Sequence, residues 1–195
     1  MPDRPLRADA QRNRAKILRA AQDAFAASGY GVPLDDIAAL AGVGPGTVYR
    51  HFPTKEALFE AVVTARVEKM IDDARARGDA ADPGQAFFAF LARVADEAAV
   101  KRDLPDAIAI AGALQDNLFA ALDVLLHRAQ QAGAVRGDIS TPDLIVLLKS
   151  LIRSIQEASA ASADPNLGDR LFAVITSGLR PAPPDDHRDA ARSGT

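Results

Sequence analysis

Residues 34–55 read LDDIAALAGVGPGTVYRHFPTK, and the spacing of their apolar residues predicts two short helices joined by a tight turn. Ile37 faces inward from the first helix, and Val48 and Phe52, four residues apart, form the inner face of the second. Gly42 stands between the two helices, where a tight turn needs a positive φ. Two short helices with an apolar inner face and a glycine in the turn are typical of a helix-turn-helix.

The second of these helices carries polar groups on its outer side and has glycine at its entrance. The entrance and the outer side comprise Pro45, Gly46, Thr47, Tyr49, Arg50 and His51. Hydroxyl and imidazole groups donate hydrogen bonds to phosphates, and an arginine binds either a phosphate or a guanine edge. Lys55 begins the next helix, where a cation opposes the helix dipole, so its position indicates a phosphate partner. As a set on one face, these residues predict contact with DNA.

The charges of the chain are unevenly distributed, although its formal net charge is only -3. Residues 1–19 contain six cations, Arg12 and Arg14 among them, against two anions, whereas residues 61–180 carry more acids than bases. A basic end on an otherwise acidic protein indicates DNA contact through that end. The alternative for the basic segment is a solvated arm without a partner.

Composition excludes several classes of site. The 195 residues include no cysteine, so disulfides, thiolate zinc sites and a cysteine nucleophile are excluded. No pair of acids and no histidine cluster has metal-ligand spacing, so we expect no metal and no cofactor. No apolar run reaches the roughly 18 residues of a membrane span, and the first residues lack the apolar centre of a signal peptide. We therefore expect a cytoplasmic protein with no membrane contact.

Helix boundary signals recur along the chain, and no hairpin signal is present. Asp82-Pro83, Thr141-Pro142 and Asp164-Pro165 each place a capping oxygen before a proline at the first helical position. The sequence predicts an all-α fold of about nine helices, over residues 8–28, 34–41, 45–51, 55–77, 83–100, 104–111, 113–132, 142–160 and 165–179. We expect a helix-turn-helix DNA-binding domain over residues 1–54 with a flexible arm at 1–8, a ligand-binding and dimerisation domain over 55–180, and a disordered tail over 181–195.

The last two predicted helices have unusually wide apolar faces. A helix that is apolar nearly all round is buried on all sides, so we expect this pair to form half of a four-helix interface across a two-fold axis. The expected interface residues are Leu144, Leu148, Leu151, Ile152, Ile155, Leu171, Phe172 and Ile175. The alternative is that these residues form the core of a single chain.

Residues 12–63 resemble the N-terminal DNA-binding domain of the tetracycline-repressor (TetR) family of regulators. The segment GTVYRHFPTKEAL at residues 46–58 is the most specific part of this resemblance, which covers about a third of the chain. The resemblance implies an all-α homodimer whose second domain binds a small ligand. By position it implies phosphate contacts from Thr47, Tyr49, His51 and Lys55, contacts near the bases from Pro45, Gly46 and Arg50, and an arm with Arg12 and Arg14 that reaches the flanking backbone.

Two features of the predicted helix-turn-helix distinguish this chain from other sequences of the TetR pattern. Asp35 and Asp36 begin the first short helix, where acids facing phosphates would repel them, so we expect both to serve the helix N-terminus. With Pro45 and Gly46 at the tip of the second helix, few side chains there can read bases. Sequence preference would then rest on Arg50, on apolar contacts with thymine methyl groups and on DNA shape.

The resemblance implies a ligand cavity among the helices between residues 56 and 160. An aromatic-rich pocket with few polar groups fits a lipophilic effector. The candidate lining residues are Phe87, Phe88, Phe90, Gln115, Asn117, Phe119 and His127. The alternative is ordinary core packing, since Phe87, Phe88 and Phe90 cannot all share one helix face.

The sequence therefore predicts a ligand-responsive regulator, a repressor that binds a palindromic operator of double-stranded DNA as a homodimer and is released by a small lipophilic effector. A constitutive DNA-binding regulator without an effector is the alternative, and a second domain without a sizeable cavity would favour it. An enzyme is disfavoured, because the sequence has no nucleophile-elbow pattern. His127 is also the one histidine outside the DNA motif and the expected tail.

Overall fold

The computed structural model describes residues 4–100, 112–161 and 166–182, and these residues form eight α-helices with no strand. The helices are α1 (Arg4–Ser28), α2 (Leu34–Ala41), α3 (Pro45–His51), α4 (Lys55–Gly78), α5 (Pro83–Val100), α6 (Ala113–Gln131), α7 (Thr141–Ala161) and α8 (Leu167–Leu179). The predicted all-α fold is confirmed. The short helix expected over residues 104–111 lies outside the described residues, as do residues 183–195 of the expected tail.

The start of α1 differs from the flexible arm expected over residues 1–8. The helix begins at Arg4 rather than at Ala8. Pro5 falls in the first turn, where its missing N–H leaves no helical hydrogen bond unmade. The leucine, arginine and alanine that follow are good helix formers. The basic segment is therefore part of a helix from Arg4 onward.

Helices α1, α2 and α3 pack with the start of α4 around the N-terminal core. Phe25 of α1 and Phe59 of α4 are buried there, with ring centroids 5.4 Å apart in an edge-to-face arrangement. Thr54 is the N-cap of α4, and its Oγ1 accepts a hydrogen bond from the Ala57 N–H at 3.1 Å. An N-cap of this kind satisfies a backbone donor that the helix itself leaves unpaired.

Helix α4 contributes to both of the large cores. Leu58 and Val62, in its first two turns, are buried against α1–α3, whereas Val67 and Ile71 are buried with α5 and α6. With 24 residues, the helix is about 36 Å long. We expected the second domain to begin at residue 55. The first two turns of α4, which follow that boundary, nevertheless pack in the N-terminal core.

Helices α5, α6 and α7 complete the second core with α4, and α8 packs on α7 and α5. Phe87 and Phe90 of α5 are fully buried, and Leu122 of α6 and Leu144 of α7 belong to the same cluster. The second domain is thus a bundle in which α5 contacts α4, α6, α7 and α8.

A group of charged side chains fastens α4 to α5. Asp73 on α4 accepts hydrogen bonds from Arg77, at 2.9 Å, and from Arg93 on α5, at 2.8 Å. Arg93 also donates to Glu97 at 2.6 Å. Burial alone would raise the pKa of Asp73, but the hydrogen bonds from the two arginines outweigh it and the pKa lies below its ordinary value. The Asp73 carboxylate is therefore charged at neutral pH and bridges the two helices.

The beginning of α5 packs tightly on the connection between α6 and α7. A Cβ added to Gly84 would lie 2.5 Å from the Cβ of Ala134, closer than two carbon atoms approach without movement of the chain. Gly84 is buried and its φ is not positive. Glycine is needed at this position for close approach rather than for a left-handed backbone.

We expect Gly84→Ala to lower the free energy of unfolding by about 1–3 kcal/mol, because the added methyl group overpacks the contact with Ala134. Gly137→Ala is the matched control, since a Cβ there would meet no atom within 4 Å and its φ is not positive. Chemical denaturation of both variants measures the difference. Equal free energies of unfolding for the two variants would show that the chain around Ala134 moves to accommodate the added methyl group at no cost.

Candidate nucleic-acid interface

The turn between α2 and α3 has the geometry that its sequence predicts. Gly42 adopts φ 65° and ψ 36°, in the left-handed region, and its N–H donates to the carbonyl of Ala39 at 3.1 Å. The N–H of Val43 donates to the carbonyl of Ala38 at 3.0 Å. Two carbonyls at the end of α2 are thus satisfied within the turn.

The inner face of α3 fixes how this helix is rotated. Val48 is fully buried and Phe52, directly after the helix, is 3% exposed. Tyr49, on the opposite side, is 49% exposed, and Arg50 is exposed beside it. The outer face of α3, defined as Pro45, Gly46, Thr47, Tyr49, Arg50 and His51, is exposed except for Thr47 and His51, which are half-buried.

Gly46 lies in the first turn of α3 without an internal reason to be glycine. A Cβ added there would meet no atom within 4 Å, and its φ is not positive. Glycine costs about 1 kcal/mol relative to alanine in a helix interior. Because residue 46 has no side chain, the surface beside the first turn of α3 is open to solvent.

The predicted cations around α3 have different surroundings. Arg12 forms an ion pair with Asp9, one turn before it on α1. The guanidinium carbon of Arg14 lies 5.3 Å from the centroid of the Phe52 ring. The Nζ of Lys55 lies 4.7 Å from the centroid of the Tyr30 ring. Arg14 and Lys55 therefore both rest against aromatic rings, at distances where a cation is attracted to a ring face.

Tyr30 and Glu56 were not anticipated from the sequence. The Tyr30 hydroxyl donates a hydrogen bond to Oε1 of Glu56 at 2.7 Å. This hydrogen bond raises the pKa of Tyr30 and lowers that of Glu56. One feature of the sequence could have pointed to Tyr30. It directly follows Gly29, which ends α1 with φ 71°, and a residue after such a glycine is turned back toward the neighbouring helices.

Asp35 and Asp36 lie in the first turn of α2, where both side chains are exposed. This placement agrees with the expected role at the helix N-terminus, because carboxylates there are favoured by the helix dipole. Pro33 precedes the helix and provides no side-chain cap. The two acids are thus the negative groups at this helix end.

The residues expected to line a ligand cavity are not brought together. Phe87 and Phe90 are fully buried in the second core, and Phe88 is half-buried with the Arg180 guanidinium 4.3 Å from its ring centroid. Four others lie exposed on α6, namely Gln115, Asn117, Phe119 and His127. Asn117 accepts a hydrogen bond from Arg75 at 3.1 Å, and His127 pairs with Gln131 at 2.9 Å. The four residues of α6 thus lie at the surface, whereas Phe87 and Phe90 lie in the core.

The residues expected at a dimer interface fall into two groups. Leu144, Leu148, Leu151 and Ile155 are at most 7% exposed within the single chain. The other four, Ile152, Leu171, Phe172 and Ile175, are half-buried. A side chain already covered by its own chain has no surface left for a partner. These four residues therefore belong to the core of the single chain, which was the alternative to a dimer interface. The large exposed apolar residues on these helices are Val146, 62% exposed, and Val174, 71% exposed.

Within residues 4–100, 112–161 and 166–182, no three histidine, aspartate or glutamate side chains are grouped as they would be around a metal ion. None of the described helices is both long and apolar enough to cross a membrane.

Both parts of the chain match known protein families. Residues 17–62 match the family described as bacterial regulatory proteins of the tetR family. Residues 82–181 match the C-terminal domain described as transcriptional regulator SbtR-like. The two matches correspond to the helix-turn-helix unit with the start of α4 and to the bundle that begins with α5.

Solved structures and curated proteins agree with these matches. A TetR transcription regulatory protein from Mycobacterium vanbaalenii is 42% identical, with a TM-score of 0.69 over 91% of this chain and 100% of that chain. A TetR transcriptional regulator from Streptomyces coelicolor is 31% identical, with a TM-score of 0.65 over 87% of this chain and 99% of that one. The HTH-type transcriptional regulator UidR of Escherichia coli K12 is 33% identical over 67 residues, which span 34% of each protein.

A helix-turn-helix with an exposed polar face on α3 is joined here to a bundle whose sequence matches a TetR C-terminal domain. The chain belongs to the TetR family of bacterial transcriptional regulators and carries its DNA-binding domain at the N-terminal end.

Proposed function

We propose that the protein is a repressor that binds a palindromic operator as a homodimer and releases it when a small apolar effector binds. The observation that carries the DNA-binding part is the outer face of α3, which presents hydroxyl, guanidinium and imidazole groups while Val48 and Phe52 hold the opposite face in the core. We propose no enzymatic activity, and we place the protein in the cytoplasm, where bacterial DNA lies.

The proposed contacts divide the outer face by chemistry. Thr47, Tyr49 and His51 donate to phosphates, as Lys55 does from the start of α4, and these contacts set position without reading sequence. Arg50 contacts a guanine edge or a phosphate. Gly46, with open space where a Cβ would stand, supports a close approach of the α3 backbone to the wall of the major groove.

The proposed homodimer would place two copies of α3 about 34 Å apart, one turn of DNA, so that they enter successive major grooves. Val146 on α7 and Val174 on α8 support an interface on these helices, because apolar side chains so exposed on neighbouring helices are suited to cover by a second chain. Half-buried Leu171 and Ile175 extend this surface on α8.

The proposed release of DNA depends on α4. Because its first turns pack with α1–α3 and its later turns with α5 and α6, a shift of α4 on effector binding would change the separation of the two α3 helices. A coupling of about 1–3 kcal/mol is sufficient for a useful switch. Half-buried Phe88, whose ring packs on that of Phe87 with centroids 5.3 Å apart, supports an apolar effector class.

The DNA-binding proposal predicts that Tyr49→Phe weakens binding about two- to tenfold and does so equally for all sequences, because one phosphate hydrogen bond is lost. If Arg50 contacts a phosphate, Arg50→Ala should reduce the slope of log affinity against log salt concentration by about one. If Arg50 contacts a guanine, the variant should relax base preference at one position of each half-site. The probe is the duplex enriched from a random-sequence library by the wild-type protein, which should be a palindrome.

The matched control for these variants is Lys69→Ala. Lys69 is an exposed cation on α4 about 21 Å along the helix from Lys55, so its loss should leave DNA binding unchanged. Full affinity in both Tyr49→Phe and Arg50→Ala would contradict the assignment of the outer face. Enrichment of no duplex by the wild-type protein would contradict DNA binding itself.

The dimer proposal predicts that Val174→Glu converts the protein to a monomer, because a carboxylate would be buried without a partner. Val124→Glu is the control, since Val124 is a valine 52% exposed on α6 outside the proposed interface. Light scattering after gel filtration measures both masses. A wild-type mass of one chain, or equal dissociation of the two variants, would rule out this interface.

The effector proposal predicts that some small apolar compounds raise the melting temperature and weaken binding to the enriched duplex. A compound at 100 times its dissociation constant adds about 2.7 kcal/mol of stability. Phe88→Ala should reduce this stabilisation. A library that contains no stabilising compound would favour the constitutive regulator.

A further inference from the structure

Tyr30 stands at the point where the connection between α1 and α2 meets the start of α4. We propose that Tyr30 is a positioning residue for DNA binding, whose ring holds the Lys55 ammonium ready for a phosphate and whose hydroxyl holds the Glu56 carboxylate away from that phosphate. This inference rests on the proposed function, because Lys55 needs a DNA phosphate as its partner.

The ring of Tyr30 is fixed by its neighbours. It stacks on buried Phe25, with centroids 6.1 Å apart and planes 21° apart, and meets buried Phe59 edge-on at 5.2 Å. Gly29, with φ 71°, turns the chain so that Tyr30 reaches this group. A ring held by two buried aromatic side chains is a rigid support, unlike a side chain that is free to rotate in solvent.

The two consecutive residues at the start of α4 contact different parts of this ring system. Lys55 Nζ lies 4.7 Å from the ring centroid, and Glu56 Oε1 accepts the hydroxyl hydrogen bond at 2.7 Å. Lys55 forms no ion pair with any residue that the structure describes. The Lys55 charge does act on the neighbouring Glu56 carboxylate and helps to lower its pKa, but without a direct ion pair the ammonium remains available to a phosphate.

Lys55 and Glu56 are adjacent in sequence, so their opposite charges would reach the same phosphate unless the two side chains are held apart. A carboxylate beside a phosphate repels it, and a freely rotating Glu56 would cancel much of the attraction that Lys55 provides. The Tyr30 hydroxyl lowers the pKa of Glu56 by its hydrogen bond, so the carboxylate stays charged while it is held. Ordering Lys55 in advance also reduces the side-chain entropy that is lost when DNA binds.

A double-mutant cycle on the enriched palindromic duplex tests the role of the ring. Lys55→Ala should weaken binding and reduce the salt dependence by about one contact. Tyr30→Leu, which removes the ring, should weaken binding at least threefold with Lys55 present and much less in the Lys55→Ala background. Val32→Ala is the control, because Val32 packs in the same region of the core and its effect should be the same in both backgrounds.

A second pair of variants tests the role of the hydroxyl. Tyr30→Phe keeps the ring and loses the hydrogen bond to Glu56, so DNA affinity should fall, and Glu56→Gln should restore it by removing the released charge. The NMR titration of Glu56 should show a higher pKa in Tyr30→Phe than in the wild type. Tyr49→Phe should leave that titration unchanged.

Free protein provides a readout that does not depend on the variants folding with equal stability. In the wild type and in Tyr30→Phe, the ε-methylene protons of Lys55 should be shifted upfield by the ring current of residue 30. Unshifted protons, or equal losses from Tyr30→Leu with and without Lys55, would overturn this inference while DNA binding itself stands. A wild-type protein that binds no duplex overturns the proposed function and this inference together.

Discussion

The burial of Val48 and Phe52 is the constraint on which the rest of the DNA-binding unit depends. A seven-residue helix is too short to be stable alone in water, so α3 exists because its inner face is packed against α1 and α2. The same packing fixes the rotation of the helix. Tyr49 and Arg50 point outward for the same reason that Val48 points inward, since about 100° separates neighbouring residues around a helix.

The second constraint is that one continuous helix joins the two cores. The side chains of α4 are shared between the N-terminal unit and the bundle, and the Asp73 and Arg93 pair ties its later turns to α5. The two regions that match separate families are thus not linked by a flexible segment within the described residues. Within this one helix, Leu58 and Val62 pack in the N-terminal core, and Val67 and Ile71 pack in the bundle.

The sequence was informative where local rules decide the structure. The bounds of α2 and α3 were predicted to the residue, because Gly42 and Pro45 mark the turn and the helix start. Leu144 and Leu151 were assigned to a partner although their own chain covers them, since periodicity shows that a side chain is buried but not by which chain. The contact of Lys55 with Tyr30 joins residues 25 positions apart and has no local signal.

The chain contains two tyrosines and no tryptophan, and both tyrosines lie in the N-terminal unit. Tyr30 is packed between Phe25 and Phe59, whereas Tyr49 stands on the outer face of α3. The near-ultraviolet absorption above the phenylalanine bands and the intrinsic emission of the protein therefore arise entirely from the region around α3. The molecule carries its own optical probe of that region, to which the eight phenylalanines and the whole of the bundle contribute almost nothing.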